Sequence, residues 1–260
     1  MQSSGNTILI TGGGSGIGRG LAEAFHARGN QVILTGRRAS MLRSVAEACP
    51  GIATFVLDID NPAEIQRVSG QILERFPSLN AVIHNAGIMR NERLLDGNVA
   101  DAEAIISTNL LGPIRLTAAL LPHLAAQPAA TLMTVSSGLA FVPLALTPTY
   151  CATKAAIHSW TQSLRYQLRN TSIQVLELVP PYVQTELMGA RGVSDPMAMP
   201  LPEFIAEVLS LLESQPDATE ICVERVRRMR KAPAESNYEA FLRQFNDQLF
   251  HARAEEATGI

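Results

Sequence analysis

The sequence predicts an α/β protein with a doubly wound, mostly parallel seven-stranded sheet and helices on both faces. Two observations predict this fold class. Short β-branched runs alternate with longer segments of helical periodicity, which is the pattern of successive βαβ units. The short runs are also apolar throughout, as expected of strands that helices cover on both faces.

The seven runs rich in β-branched residues are the predicted strands, at residues 7–10, 31–35, 53–57, 81–84, 130–136, 173–178 and 220–223. Helical periodicity predicts helices at residues 17–28, 63–76, 100–126, 148–168, 201–214 and 237–252. Pro113 lies inside the longest helical segment and is expected to kink it, so that segment could form two helices.

The composition is that of a globular protein, with 47% hydrophobic and 17% charged residues, and we expect one domain over residues 1–260. The net charge of −3 gives no overall attraction to nucleic acid or to anionic membranes, so neither is an expected partner. The first strand-like run starts at residue 7 and leaves no room for a signal peptide, which predicts a cytoplasmic protein. The three cysteines lack metal-ligand spacing, and no metal site is predicted.

A glycine-rich turn, TGGGSGIG, joins the first predicted strand to the first predicted helix. Its spacing is G-x-x-x-G-x-G instead of the usual dinucleotide fingerprint, but glycine serves the same physical purpose. Glycines permit a tight turn and let the backbone approach a pyrophosphate, which the helix N-terminus attracts. A flexible connection is the alternative. The residues predicted to bind a dinucleotide here are Thr11, Gly12, Gly14, Ser15, Gly16, Ile17 and Gly18.

The end of the second predicted strand indicates which dinucleotide binds. A carboxylate about 20 residues beyond the glycine turn would bind a free ribose 2′-hydroxyl, but no acidic residue occurs between Glu23 and Glu47. Arg37 and Arg38 stand there instead, and a guanidinium can pair bidentately with a 2′-phosphate. The sequence therefore favours NADP(H) over NAD(H). The alternative is that both arginines only solvate a loop.

Further motifs follow the glycine turn along most of the chain: DID at residue 58, HNAG at 84, STNLLGP at 107, VSS ending at 137, YCATK at 150 and VPPYVQT ending at 185. In this order they resemble the single-domain branch of the short-chain dehydrogenase/reductase family. The resemblance implies a Rossmann-type fold. The stretches VPPYVQTEL and EICVERVRR are similar to bacterial oxidoreductases related to those of the D-alanyl lipoteichoic acid operon.

The resemblance implies an active tetrad of Asn109, Ser137, Tyr150 and Lys154. Tyr150 and Lys154, one of only two lysines in the chain, are at i and i+4 of a predicted helix and can point into one cleft. A nearby ammonium would lower the pKa of the tyrosine, which would then exchange a proton with the substrate oxygen. Ser137 would bind that oxygen, and Asn109 would hold a water linked to Lys154.

Each tetrad position has a plain structural alternative. Tyr150 and Lys154 could belong to an amphipathic helix with a surface lysine, Ser137 could simply end a strand, and Asn109 could sit at a helix kink. The resemblance also implies further contacts to the dinucleotide, from Asp58, Ile59, Asn85, Ala86, Gly87, Pro180, Val183 and Thr185. Two residues depart from the family pattern: His84 replaces an asparagine, and Pro181 replaces a glycine.

These observations together predict an NADP(H)-dependent oxidoreductase acting on a small to medium, fairly apolar carbonyl or secondary alcohol. The resemblance implies a homodimer or homotetramer. We expect a substrate lid at residues 186–202 with three methionines, and a C-terminal helical extension at residues 233–260. Phe241, Phe245 and Leu249 recur at helical spacing and predict packing on the sheet or on a second subunit. The alternatives are a non-catalytic NADP(H) sensor, or an epimerase or dehydratase on the same scaffold.

Overall fold

The structure, a computed structural model, describes the backbone of residues 1–257 and the side chains of residues 1–189 and 192–249. Its strands are β1 Thr7–Thr11, β2 Gln31–Gly36, β3 Ala53–Val56, β4 Leu79–His84, β5 Ala130–Val135, β6 Ile173–Val179 and β7 Glu220–Cys222. They form one parallel sheet in the order β3-β2-β1-β4-β5-β6-β7. The predicted fold class is confirmed, and the predicted strand ends differ from the observed ones by at most two residues.

The apolar strands are buried on both faces of the sheet. In β1, Ile8 and Ile10 point into one hydrophobic core, and Leu9 points into the other. All three side chains are fully buried, and each such burial contributes about 2 kcal/mol to folding. Because chain connections diverge from β1 and β4 in opposite directions, a crevice opens at the carboxyl ends of these two strands.

Helices cover both faces of the sheet, as α1 Gly16–Ala27, α2 Ala39–Ala48, α3 Pro62–Arg75, α4 Ala100–Ile106, α5 Gly112–Ala126, α6 Pro148–Gln167, α7 Ala190–Ser194, α8 Leu201–Ser214, α9 Arg227–Lys231 and α10 Tyr238–Ala257. The sequence prediction missed α2. Only Leu42 and Val45 of this helix are buried, so its apolar face is too short to give a clear helical pattern.

The long segment predicted to kink at Pro113 is interrupted just before that residue. A π-helical stretch, Ser107–Leu111, separates α4 from α5. Pro113 has no N–H to donate to the carbonyl of Asn109, four residues earlier, so the regular hydrogen-bond ladder cannot pass through this point. The interruption places Asn109 in an irregular backbone next to the crevice.

Residues Ala100–Ala126 are also long and apolar enough to cross a membrane, by length and composition alone. In the structure, Leu116, Leu120 and Leu124 are buried in the core that α5 shares with α3. Packing against the sheet therefore accounts for the apolar character of this segment.

The segment predicted as an irregular lid contains short helices. Glu186–Met188 forms one 3-10 turn, and α7 follows it. A parallel bridge then joins Val183 to Met199, and the Met199 N–H donates to the carbonyl of Tyr182 at 2.8 Å. The two ends of the segment between Val183 and Met199 are therefore hydrogen-bonded side by side, just beyond the end of β6.

Candidate active site

A cavity of about 530 Å³ opens at the carboxyl ends of the strands. It contains both the glycine turn and the predicted catalytic groups, although these are far apart in sequence. The predicted site residues on its wall are Thr11, Gly12, Gly14, Ser15, Gly16, Ile17, Arg37, Arg38, Ile59, Asn85, Ala86, Gly87, Ser137, Tyr150, Lys154, Pro180, Val183 and Thr185. The remaining predicted site residues, Gly18, Asp58 and Asn109, do not line it.

The glycine turn is held against the chain that follows β4. The Thr11 hydroxyl accepts hydrogen bonds from the backbone N–H groups of Asn85 and Ala86, both at 3.0 Å. Gly12 has a φ of 67°, and a Cβ there would lie 2.9 Å from the Cα of Ala86. Only glycine fits both the left-handed conformation and this approach. The Ser15 side chain makes no capping hydrogen bond, so the first N–H groups of α1 face the cavity without a side-chain partner.

The two arginines after β2 are exposed at the mouth of the cavity. The Arg38 guanidinium donates to the Ser15 hydroxyl at 2.9 Å, and its other nitrogen lies 3.6 Å from a carboxylate oxygen of Glu186. Arg38 therefore connects the glycine turn to the start of the lid segment. No carboxylate ends β2, so a negative group bound beside Arg37 and Arg38 meets no repulsion from that strand.

Asp58 and Gly18 serve the framework of the site. The Asp58 carboxylate accepts from the N–H of Asp60 at 3.1 Å, while its own N–H donates to Glu64 at 2.9 Å. Asp58 does not line the cavity, whereas the neighbouring Ile59 does. At Gly18, a Cβ would lie 2.5 Å from the carbonyl oxygen of Gly12, so this glycine allows α1 to pack beneath the turn.

Tyr150 and Lys154 lie one turn apart near the start of α6 and face the cavity beside Ser137. All three side chains are buried. The Lys154 ammonium donates to the carbonyl of Val135 at 2.7 Å and lies 5.5 Å from the centre of the Tyr150 ring. The Ser137 hydroxyl accepts from the N–H of Leu139 at 3.1 Å, which fixes its position at the end of β5.

Burial dominates the electrostatics of these groups. It raises the pKa of Tyr150, and hydrogen bonding with the Ser137 side chain only partly opposes this effect. Burial also lowers the pKa of Lys154 to about 8, against the attraction of Glu177. The sequence predicts that Lys154 lowers the pKa of Tyr150, but in the protein alone desolvation of the phenol is the larger effect.

Asn109 is held more tightly than the sequence predicts. Its side-chain oxygen accepts from the N–H of Ile88 at 2.8 Å, and its amide donates to the Ile88 carbonyl at 2.9 Å and to Thr153 at 3.3 Å. It lies behind Gly87, where a Cβ would be 3.3 Å from the Asn109 oxygen and 3.8 Å from the Lys154 ammonium. Asn109 therefore fixes the loop that forms this part of the cavity wall.

Comparison with known proteins identifies the family of this chain. A family model for short chain dehydrogenases matches residues 6–194, and this range contains the glycine turn and the Ser137, Tyr150 and Lys154 group. The chain belongs to the short-chain dehydrogenase family. The predicted family and the class of oxidoreductase are confirmed.

Individual family members are similar over almost the whole chain. The chain is 36% identical over 265 residues to the uncharacterized oxidoreductase DltE of Bacillus subtilis (strain 168), covering 95% of this chain and 99% of that protein. A short chain dehydrogenase from Burkholderia cenocepacia J2315, solved in complex with NADP, has a TM-score of 0.78 at 26% identity, covering 97% and 98% of the chains. Another from Burkholderia phymatum, in complex with NAD, has a TM-score of 0.79 at 19% identity, covering 92% and 96%, and shares the fold.

One half of the cavity wall is apolar, and the sequence did not predict which residues form it. Phe245 and Leu249 of α10 line it. Phe241 and Phe245 also pack against the hydrophobic core on one face of the sheet, as their spacing predicts. Asn246, between Phe245 and Leu249, holds α10 to the loop before α6: its amide donates to the Pro143 carbonyl at 3.0 Å, and its oxygen accepts from the Ala145 N–H at 2.6 Å. Other apolar residues on this half of the wall are Ile88, Met89, Leu139, Leu144 and Met229.

The two departures from the family pattern have different positions. Pro181 lines the cavity directly. His84 is buried at the end of β4, and its Nε2 forms a 2.8 Å hydrogen bond with the Thr117 hydroxyl. Its Nδ1 has no hydrogen-bond partner among the described side chains and backbone. Burial lowers the pKa of His84 to about 4, so the imidazole is neutral when the protein is folded at neutral pH.

We expect His84 to make folding sensitive to mild acid. The unfolded chain binds a proton at His84 below about pH 6.5, whereas the folded protein does so only near pH 4. The free energy of unfolding should therefore fall as pH drops through this window, by about 3 kcal/mol in total. Denaturant unfolding of wild type and His84→Gln between pH 4 and pH 7.5 measures this. Glutamine can keep the bond to Thr117 without titrating, so equal pH slopes in the two proteins would contradict the assignment.

Proposed function

We propose that this protein is an NADP(H)-dependent carbonyl reductase or alcohol dehydrogenase that uses Tyr150 as its acid and base. The observation that carries this proposal is the joint position of Ser137, Tyr150 and Lys154, buried together on a cavity wall that also contains the glycine turn. A non-catalytic NADP(H) sensor would need only the part of the cavity that binds the nucleotide. The presence of a buried proton donor and a fixed hydroxyl therefore favours catalysis.

Each polar group has one role in the proposed reaction. The nicotinamide supplies the hydride when bound. Ser137 donates a hydrogen bond to the substrate oxygen, where negative charge develops. Tyr150 gives that oxygen its proton in reduction and takes it back in oxidation. Burial keeps the proton on Tyr150 at neutral pH, which suits donation to a carbonyl oxygen.

The glycine turn and the start of α1 would hold the pyrophosphate of the cofactor. The turn offers backbone N–H groups and the positive end of the α1 dipole, and no acidic residue lies in the first turn of that helix. Lys154 would bind the hydroxyls of the nicotinamide ribose, because its ammonium is on the cavity wall next to Tyr150. The short chain dehydrogenase from Burkholderia cenocepacia was solved in complex with NADP, which supports binding of a nicotinamide dinucleotide here.

Arg37 and Arg38 would select NADP(H) by binding the 2′-phosphate. Arg38 is already oriented by Ser15, and a phosphate would replace the longer 3.6 Å contact to Glu186 with a charge-assisted pair. We expect NADPH to bind more tightly than NADH. The double variant Arg37→Ala with Arg38→Ala should lose about 10- to 100-fold in NADPH affinity and little in NADH affinity.

Fluorescence titration of each nucleotide with the purified protein measures this difference. Arg43→Ala is the matched control, since Arg43 is exposed on α2 and does not line the cavity. Its affinity for both nucleotides should equal that of wild type. Equal losses of NADPH and NADH affinity in the double variant would contradict recognition of the 2′-phosphate, and absence of binding to wild type would remove the proposed function.

The apolar half of the cavity favours a substrate with a carbonyl or secondary alcohol on an uncharged, apolar body. Leu187 and Met188 of the predicted lid join this wall, which supports closure of residues 186–202 over a bound substrate.

We further propose a cytoplasmic homodimer or homotetramer that contacts a second copy through α4 to α6. Exposed Ile106 and Tyr166 on these helices support that interface.

A further inference from the structure

A second group of charged residues lies beneath the proposed active site, between α6, β6, β7 and α9. Glu177 of β6 is completely buried. The Nδ1 of His158 lies 2.8 and 3.0 Å from its two carboxylate oxygens. Because an ionised carboxylate only accepts hydrogen bonds, Nδ1 carries the proton and donates it to Glu177.

The neighbouring carboxylate has a partner of its own. Glu220 of β7 is directly opposite Glu177 in the parallel ladder. Arg230 donates to both oxygens of Glu220, at 2.6 and 2.9 Å. The ligand atoms of His158, Glu177 and Glu220 lie within 4.8 Å of one another, but these pairings satisfy the cluster without a metal ion. Glu177 is thus the carboxylate whose charge no arginine neutralises directly.

Lys154 of α6 brings a positive charge close to Glu177. Its ammonium donates to the carbonyl of Val135, and Val135 directly follows Thr134, the residue paired with Glu177 in the ladder between β5 and β6. Tyr150, Lys154 and His158 follow one another at i, i+4 and i+8, so they share the face of α6 that is packed toward β5 and β6. The charged and titratable groups that interact with Glu177 come from three elements: Lys154 and His158 from α6, Glu220 and Cys222 from β7, and Arg230 from α9.

We propose that Glu177, oriented by His158, is the buried countercharge that keeps Lys154 protonated in the active site. This inference rests on the proposed function, in which Lys154 must carry a positive charge. Glu177 and His158 touch neither cavity nor cofactor site, so they are positioning residues that act through Lys154. The carbonyl of Val135 gives the ammonium one hydrogen bond, but a dipole alone does not replace the lost hydration of a buried ion.

Two opposing contributions set the pKa of Lys154, and they give the direction in which it should change when Glu177 loses its charge. Burial lowers the pKa of Lys154 to about 8, and attraction to Glu177 is the contribution that raises it. Without that attraction, a buried ammonium would lose its proton near neutral pH. A neutral Lys154 would neither stabilise the deprotonated form of Tyr150 nor bind ribose hydroxyls as a charged donor.

The chain offers a direct test, because Lys154 and Lys231 are its only lysines. Protein made with ¹³Cε-labelled lysine should give two titrating NMR signals, and Lys231→Arg assigns them. In Glu177→Gln, which keeps the shape of the side chain and removes its charge, the pKa of Lys154 should fall by about one unit or more. In His158→Ala the pKa of Lys154 should also fall, by less than in Glu177→Gln, because the buried carboxylate loses the N–H that orients it and stabilises its charge.

Glu220→Gln is the matched control, since it removes a carboxylate from the same cluster on the adjacent strand. It should move the Lys154 titration much less than Glu177→Gln. An unchanged pKa in Glu177→Gln, or equal falls in all three variants, would overturn the proposal. If Glu177→Gln does not fold, His158→Ala decides, and a Lys154 pKa that does not fall overturns the proposal. The titration needs no cofactor or substrate, so failure of the proposed function leaves this result interpretable.

Discussion

Replacing Tyr150 with phenylalanine is expected to lower kcat/KM for carbonyl reduction by about a thousand-fold. The reason is local, because the variant removes one hydroxyl and keeps the ring that packs with Ile105, Leu144 and Cys151. NADPH affinity should change little, since Lys154 keeps its bond to Val135. Steady-state reduction of an apolar ketone, together with nucleotide titration, measures both quantities. The loss should appear in kcat, as expected of an interaction made in the transition state.

Tyr166→Phe provides the control for this experiment. Tyr166 is on the same helix as Tyr150, but its side chain is 68% exposed and lies outside the cavity. Loss of the Tyr166 hydroxyl should leave kcat, KM and nucleotide affinity at wild-type values. A Tyr150→Phe protein that keeps most of its activity would show that another group supplies the proton. A Tyr150→Phe protein that no longer binds NADPH would show a structural role instead.

The sequence was sufficient to predict the fold and to predict which residues near the ends of the strands line the cavity. Parallel strands buried on both faces are apolar throughout, so local composition alone located β1 to β7 within two residues. The carboxyl ends of such strands meet at one edge of the sheet, which is why motifs near residues 11, 85, 137 and 180 converge on one cavity. Helix α2 was missed because its two buried residues, Leu42 and Val45, are too few to give a helical pattern.

Features that depend on tertiary packing could not be predicted. The apolar wall contains Phe245 and Leu249, which are about a hundred residues from Tyr150, and only the docking of α10 places them there. The raised pKa of Tyr150 is also a tertiary effect, because it depends on how many groups exclude water from the phenol. The same is true of Glu177, whose burial beneath Lys154 has no local sequence signature.

The glycine turn is the site where one added methyl group should be most damaging. In Gly18→Ala the new Cβ would lie 2.5 Å from the Gly12 oxygen and 2.4 Å from the Asn85 amide nitrogen. That amide donates to the Thr11 carbonyl at 3.0 Å, so its displacement also releases the contact between the turn and the chain after β4. We expect a loss of about 3 kcal/mol in stability and no measurable NADPH binding.

Gly70→Ala tests whether this loss comes from the close approach and not from replacing glycine as such. Gly70 is exposed inside α3, and a Cβ there meets no atom within 4 Å. Alanine should stabilise the helix by about 0.5–1 kcal/mol and leave nucleotide binding unchanged. The two variants should therefore shift the Tm in opposite directions. If Gly18→Ala binds NADPH as tightly as wild type, the turn does not form the phosphate site, because its geometry cannot survive the added methyl group unchanged.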